Sequence, residues 1–251
     1  MDDILGGRAL IYRSASIYER RRRVLAVARK MIAEHGFSGF NVRELCARAG
    51  IAQKTLYNAF GSKENVVAMA IRQYQADFNE RVAYQHDPVS VIGRLERAIK
   101  VHSRNLEIRP YTTAIMAVYN SPTADRAIRT AIRELAYTGI TPWAMALRRR
   151  RQFSEGVTME AYIQLSVTAQ YAVLTDWCVG EIEDMDLVDR VCGAALIILL
   201  GTTRGQTLRD ARTWLHHLHT NAPAWLDLRQ AANFHESNLA PRPPRAETRG
   251  A

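Results

Sequence analysis

The chain has 251 residues, of which 47% are hydrophobic and 24% are charged, and its formal net charge is +9. This composition is typical of a folded protein with a sizeable core, and it excludes an intrinsically disordered chain. Residues 1–64 hold twelve Lys and Arg against six Asp and Glu, which places +6 of the net charge in the first quarter of the sequence. A concentrated positive charge favours a polyanionic partner, either nucleic acid or an acidic membrane surface.

The first predicted helix follows a stretch without a clear period. Residues 1–15 contain a Gly pair and predict a flexible leader, after which Ser16 and Glu19 can cap a helix. Four consecutive arginines, at 20–23, lie at the start of that helix. They are either a solvated charge run or a set of contacts to phosphates or to a minor groove.

Two short helices joined by a tight turn are predicted next, at about 42–49 and 52–60. Asn41 precedes the first helix and can cap it, with the Glu44 carboxylate reaching back, and Gly50 suits the left-handed residue that ends it. This spacing is typical of a helix-turn-helix. An ordinary helical hairpin whose polar face only meets water has the same pattern.

The second of these helices carries a polar face opposite Leu56 and Phe60. Gln and Asn can pair with base edges, Lys and Tyr can reach phosphates, and a Thr methyl group can touch thymine. We therefore predict base contacts from Gln53, Thr55 and Asn58, and phosphate contacts from the basic and aromatic residues around them. The predicted DNA-binding residues are Asn41, Arg43, Gln53, Lys54, Thr55, Tyr57, Asn58 and Lys63.

The rest of the chain predicts further helices and no strands, which indicates an all-α fold. A helix opens at Lys63, and prolines at 88, 110, 122 and 142 separate later ones. Two long apolar stretches, at about 162–179 and 187–200, flank an acidic linker and predict a helical hairpin. Because these helices are apolar over most of their circumference, the core or a second subunit must cover them on more than one side. Residues 234–251 are rich in Pro and Arg and predict a disordered tail.

Enzymatic, metal and membrane functions find little support in the sequence. His216, His217 and His219 cluster, but no nearby Cys or carboxylate completes a metal site, so neither a metal nor a cofactor is predicted. No local pattern indicates a catalytic set, although a triad assembled by folding would escape notice. Three cysteines without a CxxC pair favour the reducing cytosol, and the most apolar stretch is too short to span a bilayer.

Residues 24–67 resemble the DNA-binding domain of the TetR family of transcriptional regulators. The resemblance rests on AEHGF at 33–37, NVRELCARAGI at 41–51, TLYNAF at 55–60 and GSKE at 61–64. Two positions depart from the family pattern: Ala52 is often Ser, and Ala59 is often aromatic. The resemblance implies a three-helix DNA-binding domain at 16–64, followed by a larger helical regulatory and dimerisation domain at 65–233.

The resemblance also implies partners for the chain. It predicts a homodimer through the helices around 160–179 and 187–203, a palindromic DNA operator, repression of transcription and an unknown small-molecule effector, with no membrane partner and a cytoplasmic location. A pocket in the helical domain would be lined by Tyr111, Met116, Tyr119, Trp143, Met145, Tyr162, Tyr171 and Trp177. Ordinary core packing is the alternative for each of these residues. A non-specific architectural DNA-binding protein is the alternative function, followed by a helical enzyme.

Overall fold

A computed structural model describes residues 3–233 of the protein, with side chains described from residue 17 onward. Within this range the chain forms helices and no strand, apart from an isolated antiparallel bridge between Phe153 and Thr203. The all-α prediction is confirmed. The helices are α1 (Asp3–His35), α2 (Val42–Ala49), α3 (Gln53–Phe60), α4 (Lys63–Arg81), α5 (Val91–Glu107), α6 (Arg109–Asn120), α7 (Arg126–Arg149), α8 (Met159–Val179), α9 (Leu187–Thr202), α10 (Gly205–His219) and α11 (Pro223–Ala231).

Helix α1 begins earlier than the sequence predicted. The capping pattern at Ser16 predicted the helix start there, but the helix already includes residues 3–15 of the predicted leader. The pair Gly6 and Gly7 costs about 1 kcal/mol per residue relative to Ala, which weakens a helix without ending it. Several other leader residues, including Leu5, Arg8 and Ala9, are good helix formers. The predicted disordered tail at 234–251 lies outside the described residues.

The chain divides into two compact units that are not contiguous in sequence. The first unit comprises the residues up to Gln75 together with Arg109–Leu135, and the second comprises Ala76–Ile108 and the chain from Ala136 onward. The boundary predicted between residues 64 and 65 separates DNA binding from regulation and dimerisation, and it stays a prediction. The first unit holds both predicted helix-turn-helix helices and also α6, which packs against α1.

The core of the first unit gathers one apolar face from each of its N-terminal helices. Each fully buried large side chain contributes about 1.5–3 kcal/mol relative to leaving it exposed. Its buried members include Val24, Leu25, Ala28, Met31, Ile32, Leu45, Leu56, Phe60, Val66, Val67 and Ile71. Because α3 is only two turns long, Leu56 and Phe60 are its two buried anchors.

Capping explains where α2 starts and stops. Asn41 Oδ1 accepts hydrogen bonds from the amides of Arg43 at 2.8 Å and Glu44 at 3.4 Å. Gly50 adopts a left-handed conformation with φ 65° and ψ 44°, as its position predicted. The Glu44 carboxylate does not complete the predicted reciprocal cap. It pairs with Arg48 Nη2 at 2.5 Å, because a guanidinium one turn away offers a charged partner.

In the second unit, α9 packs against α5, α8 and α10. Helices α8 and α9 form the predicted hairpin, and Trp177 at the end of α8 is fully buried. The Trp177 indole donates to Asp184 Oδ1 at 2.8 Å, so this acidic residue ties the linker of the hairpin to the end of α8. Asp186 occupies the N-cap of α9 without a capping hydrogen bond from its side chain.

A buried carboxylate holds the connection between α4 and α5. Glu96 is 1% exposed and accepts hydrogen bonds from the amides of Gln85 at 2.8 Å and His86 at 2.9 Å. Burial alone would raise the pKa of Glu96, but these hydrogen bonds and the nearby Lys100 charge hold it below its usual value. The ionised carboxylate therefore fixes the loop that leads into α5.

The N-terminus of α3 offers a stability test. Ala52 has extended backbone geometry at the N-cap, with φ −74° and ψ 148°, and supplies no capping hydrogen bond. We expect Ala52→Ser to raise the free energy of unfolding by about 0.5–1 kcal/mol, because the hydroxyl can accept from the amide of Lys54 or Thr55. Urea titration followed by circular dichroism measures this change. The matched control Ala47→Ser, on the exposed face of α2, should instead be neutral or slightly destabilising. A midpoint for Ala52→Ser no higher than that of the parent would contradict the uncapped N-terminus.

A buried histidine on α5 makes the stability of the protein depend on pH. His102 is 1% exposed, and its Nδ1 lies 3.2 Å from the Asn105 side-chain nitrogen. Burial, with the Arg94 and Arg104 charges nearby, lowers the pKa of His102 to about 3. The unfolded chain binds this proton near pH 6.5, so the folded state loses stability as the pH falls from about 6.5 toward 3.

We therefore expect His102→Gln to show a smaller loss of the urea midpoint between pH 7 and pH 5 than the parent protein. The control His219→Gln, at an exposed residue of α10, should keep the parent's pH dependence. Identical pH dependence in the His102 variant and the parent would show that this histidine does not charge on unfolding.

Candidate nucleic-acid interface

Helix α3 presents its polar residues away from the core of the first unit. Gln53, Lys54, Thr55 and Asn58 are exposed, and Tyr57 keeps 45% of its surface exposed. The sequence pattern placed these residues on one side of a helix, and the structure brings them together there. A two-turn helix with this face is short and polar enough to enter a major groove.

Two arginines of α1 hold the C-terminal ends of α2 and α3. Arg23 Nε donates to the carbonyl of Ala49 at 3.2 Å, and Arg21 Nη2 donates to the carbonyl of Ala59 at 3.3 Å. The Arg21 guanidinium also lies 5.2 Å from the centre of the Phe60 ring. Cations at helix C-termini satisfy free carbonyls and complement the helix dipole, so these contacts fix both helices to α1.

These contacts assign a structural role to two of the four arginines at 20–23. Arg21 and Arg23 are structural, whereas Arg20 is exposed and forms no ion pair within the described residues. Arg22 approaches Glu19 at 3.7 Å. Sequence reasoning missed the role of Arg21 and Arg23, because their acceptors lie 38 and 26 residues further along the chain.

The remaining residues predicted to contact DNA differ in whether other groups of the protein already hold their side chains. Arg43 and Lys54 are exposed and form no ion pair in the described part of the chain, so both are available to phosphates. The Lys63 ammonium lies 5.0 Å from the Phe37 ring centre and 5.7 Å from that of Phe40. Aromatic faces stabilise this charge without neutralising it, and they hold it at the start of α4. Asn41 uses its side-chain oxygen as a cap, which leaves its amide nitrogen for other contacts.

Arg48 is basic and exposed but already paired. Its guanidinium contacts Glu34 at 2.6 Å and Glu44 at 2.5 Å. The hydrogen bond from Arg48 lowers the pKa of Glu34, although burial opposes the shift. The absence of Arg48 from the predicted DNA-binding set is consistent with this pairing.

The eight predicted pocket residues do not belong to one compact unit. Tyr111, Met116 and Tyr119 lie in the first unit, where the ring of Tyr111 meets that of Tyr74 edge-on at 5.6 Å. The other five lie in the second unit, where Met145 is 38% exposed. These eight residues were predicted from their side-chain type alone, and side-chain type does not indicate which residues lie in the same unit. Their role in lining a pocket stays a prediction.

One pair from this set is brought together closely. Trp143 Nε1 donates to Tyr162 Oη at 2.8 Å, and each residue is 3% exposed. The Tyr162 ring also meets Phe153 at 5.4 Å. Trp177, by contrast, is fully buried and committed to Asp184, which favours core packing for that residue.

Open clefts on the described surface include one in each unit. A cleft of about 500 Å³ in the second unit is lined by Arg148, Arg151, Phe153, Ser154, Glu155, Val157, Thr158, Met159, Glu160 and Arg204. Another, of about 440 Å³ in the first unit, is lined by Ser62, Glu64, Asn65, Arg72, Asp125, Arg126, Ala127 and Thr130. Neither cleft includes a predicted pocket residue.

The described residues hold neither a metal-binding cluster nor a membrane-spanning helix. No group of three or more His, Cys, Asp and Glu side chains there could hold a metal ion. None of the helices in that range combines the length and hydrophobicity needed to cross a membrane. The three cysteines, Cys46, Cys178 and Cys192, carry free thiols.

Sequence comparisons find related regulators. Residues 24–70 match the family model of bacterial regulatory proteins of the tetR family. A DNA-binding transcriptional repressor, TetR of Mycobacteroides abscessus, is 27% identical over 134 residues, which cover 52% of this chain and 67% of that protein. YvaF of Bacillus subtilis, an uncharacterised HTH-type transcriptional regulator, is 27% identical over 89 residues, which cover 35% of this chain and 46% of that protein.

Solved structures share the fold at low sequence identity. TylP, a TetR regulator from Streptomyces fradiae, aligns with a TM-score of 0.56 and 15% identity over 86% of this chain and 98% of its own. A TetR transcriptional regulator from Agrobacterium tumefaciens aligns with a TM-score of 0.52 and 18% identity over 76% of this chain and 98% of its own. Regulators of this family are not enzymes, and the prediction that this chain is not an enzyme is confirmed. The match of the helix-turn-helix to the family model, the curated relatives and the helical fold shared with family structures together support a TetR-family transcriptional regulator.

Proposed function

We propose that the chain represses transcription in the cytoplasm by binding a palindromic DNA operator as a homodimer, and that a small-molecule effector releases it. In this proposal residues 16–64 bind DNA and residues 65–233 regulate and dimerise. The observation that carries it is the exposed polar face of α3, held on α1 by Arg21 and Arg23. A rigidly held helix loses little conformational freedom on docking, which favours specific over non-specific contact.

The roles within the interface follow from side-chain chemistry. Gln53, Thr55 and Asn58 carry short polar groups suited to base edges, and Lys54 suits either a base or a phosphate. Arg43, Tyr57 and Lys63 suit phosphates, and Lys63 is also the first residue of α4, where free helix amides favour anions. Asn41 suits the DNA backbone through its amide nitrogen.

Exposed apolar residues on α8 and α9 support the homodimer. Leu165 and Val179 are 48% and 69% exposed, and the exposed Ala172 lies midway between them at a spacing of seven residues. On α9, Ile197 is 56% exposed, and Gly201 is exposed one turn later. Because α8 and α9 pack against each other, these residues suit a two-fold interface made by the same two helices of both subunits.

The release mechanism is a shift between two conformations. An effector that binds one conformation more tightly changes the fraction of dimers whose recognition helices match two successive half-sites. The aromatic residues of the second unit, including the hydrogen-bonded pair Trp143 and Tyr162, are the candidates for effector contact. A non-specific architectural DNA-binding protein remains the second candidate, since the basic residues around α3 would serve either function.

Selection of bound DNA from a random pool separates these functions. We expect a two-fold symmetric consensus, because two recognition helices related by symmetry would read inverted half-sites. Sequences without a consensus would favour the architectural alternative.

On the selected operator, Lys63→Ala and Gln53→Ala should fail in different ways. Lys63→Ala should weaken binding to specific and random DNA alike, and it should reduce the slope of log affinity against log salt by about one unit. Gln53→Ala should lose discrimination at one operator position, by about 1–3 kcal/mol if its contact is bidentate. Fluorescence anisotropy across a salt series measures both effects. The control Arg212→Ala removes one exposed positive charge from α10 and should change neither property. Equal losses on specific and random DNA for both variants would refute these roles.

The dimer interface predicts a second set of variants. Ile197→Glu should raise the dimer dissociation constant by 100-fold or more, because burying an unpaired carboxylate costs about 3 kcal/mol or more. Analytical ultracentrifugation over a concentration series measures this change. The control Leu226→Glu alters an apolar residue on α11 that is 48% exposed, and it should leave the dimer intact. A parent protein that sediments as a monomer, or a dimer unaffected by Ile197→Glu, would refute this interface.

A further inference from the structure

The cleft of about 500 Å³ in the second unit is rich in arginine. Arg148, Arg151 and Arg204 line it, and all three are exposed. The first two belong to a run of four arginines at 148–151, which begins in the last turn of α7. The third lies at the N-cap of α10. Three positive charges therefore line one cleft, although they come from two distant parts of the chain.

Hydrogen bonds to the backbone hold these two parts of the chain together. The amide of Arg204 donates to the carbonyl of Gln152 at 2.8 Å, and the amide of Ser154 donates to the carbonyl of Thr202 at 2.9 Å. The Arg204 side chain adds a bond from Nε to the carbonyl of Arg151 at 3.0 Å. The fold therefore sets the positions of both arginines. The other N–H donors of Arg204 have no acceptor among the described residues.

No carboxylate pairs with these arginines in the part of the chain that the structure describes. Glu155 and Glu160 also line the cleft, but neither forms an ion pair with Arg148, Arg151 or Arg204. The arginines outnumber the glutamates, and the other two arginines of the run add to the positive potential. Like charges that are held close together repel, so an anion that enters the cleft relieves this cost.

The backbone of Arg151 gives a second observation about this residue. Its φ is 53°, in the left-handed region that glycine adopts without steric cost. A turn that only had to reverse the chain would favour glycine here, because an arginine in this conformation is strained. The observation therefore favours a role for the arginine side chain itself.

We propose that this cleft binds an organic phosphate, a small molecule that joins a phosphate group to an apolar body. Guanidinium groups meet phosphate oxygens in a bidentate geometry. A phosphate carries more than one negative charge near neutral pH, so it matches several arginines better than a carboxylate does. The volume of the cleft lies within the range of small-molecule sites. This site goes beyond the proposed function, because it does not depend on DNA binding.

Apolar residues beside the arginines restrict the rest of the ligand. Phe153, Val157 and Met159 line the same cleft, and each is half-buried. The Phe153 ring centre lies 5.4 Å from that of the buried Tyr162, which holds the ring against the interior of this unit. A ring or a short aliphatic chain can pack on these side chains while the phosphate group contacts the arginines.

Isothermal titration calorimetry of the full chain with matched probes tests the site. Phenyl phosphate and adenosine monophosphate should bind, whereas phenol and adenosine, which lack the phosphate group, should not. Inorganic phosphate should bind more weakly than phenyl phosphate, because it lacks the apolar body.

The variant Arg151→Gly separates the role of the side chain from that of the backbone. It should weaken phenyl phosphate binding by about tenfold or more, because charge-assisted hydrogen bonds are lost. Its melting temperature should stay close to that of the parent, because glycine suits the left-handed conformation and keeps the carbonyl that Arg204 contacts. A purely structural role would lower the melting temperature and leave the affinity unchanged. The control Arg212→Gln removes an exposed positive charge from α10 and should also leave the affinity unchanged.

The variant Glu160→Gln should have the opposite effect on binding. Removal of this carboxylate from the cleft should tighten phenyl phosphate binding by about threefold or more, since a like charge no longer opposes the anion. The control Glu181→Gln raises the net charge equally, but Glu181 is an exposed residue beyond the other end of α8. It should leave the affinity unchanged, because about 30 Å of helix separates the two glutamates.

Absence of phenyl phosphate binding to the parent, equal binding of phenol, or an unchanged affinity in Arg151→Gly would overturn the proposal. If Arg151→Gly does not fold, an unchanged affinity in Glu160→Gln overturns it. Equal affinities for inorganic phosphate and phenyl phosphate would indicate an adventitious ion only and overturn the organic ligand. A random DNA duplex that displaces phenyl phosphate, and that binds Arg151→Gly more weakly, would assign the cleft to nucleic acid instead. Failure of the parent to bind any operator would refute the proposed function and leave the calorimetric result valid.

Discussion

The position of the exposed polar face of α3 depends on two arginine contacts at the carbonyl ends of short helices. Arg23 holds the last residue of α2, and Arg21 holds the residue before the end of α3 while it covers the Phe60 ring. Both arginines project from α1. This helix is itself anchored in the first unit, where it buries Met31 and Ile32. A two-turn helix cannot define its own orientation in water. The contacts with α1 therefore hold a marginal helix in a fixed orientation.

This arrangement explains how α3 stays in place although its N-terminus has no side-chain cap. Ala52 gives its N-terminus no side-chain cap, and only Leu56 and Phe60 bury its inner face. The strong contacts are at its other end, where Arg21 meets the Ala59 carbonyl. Ala59, the position that departs from the aromatic residue common in the family, contributes through its backbone. Its side chain can therefore vary without loss of this contact.

The sequence could predict several features that depend on short spacing. Asn41 and Gly50 were identified from their positions beside an apolar stripe, and the structure confirms both as caps of α2. The hairpin of α8 and α9 followed from hydrophobic length. Contacts between distant residues could not be predicted, including Arg21 with Ala59 and Trp143 with Tyr162, because no local pattern records which side chains meet. The pocket residues were chosen by type for the same reason, and they fall into two units.

In the first unit, the net charge overstates the number of cations that are available to bind a partner. Arg21 and Arg23 satisfy backbone carbonyls, and Arg48 pairs with two carboxylates. Arg29 lies 4.1 Å from the centre of the Tyr74 ring. The cations near α3 that form neither an ion pair nor a bond to a backbone carbonyl within the described residues include Arg43, Lys54 and Lys63, the last of which lies over aromatic rings. If the proposed DNA binding is correct, each of these few side chains carries a larger share of the salt-dependent affinity than the net charge suggests.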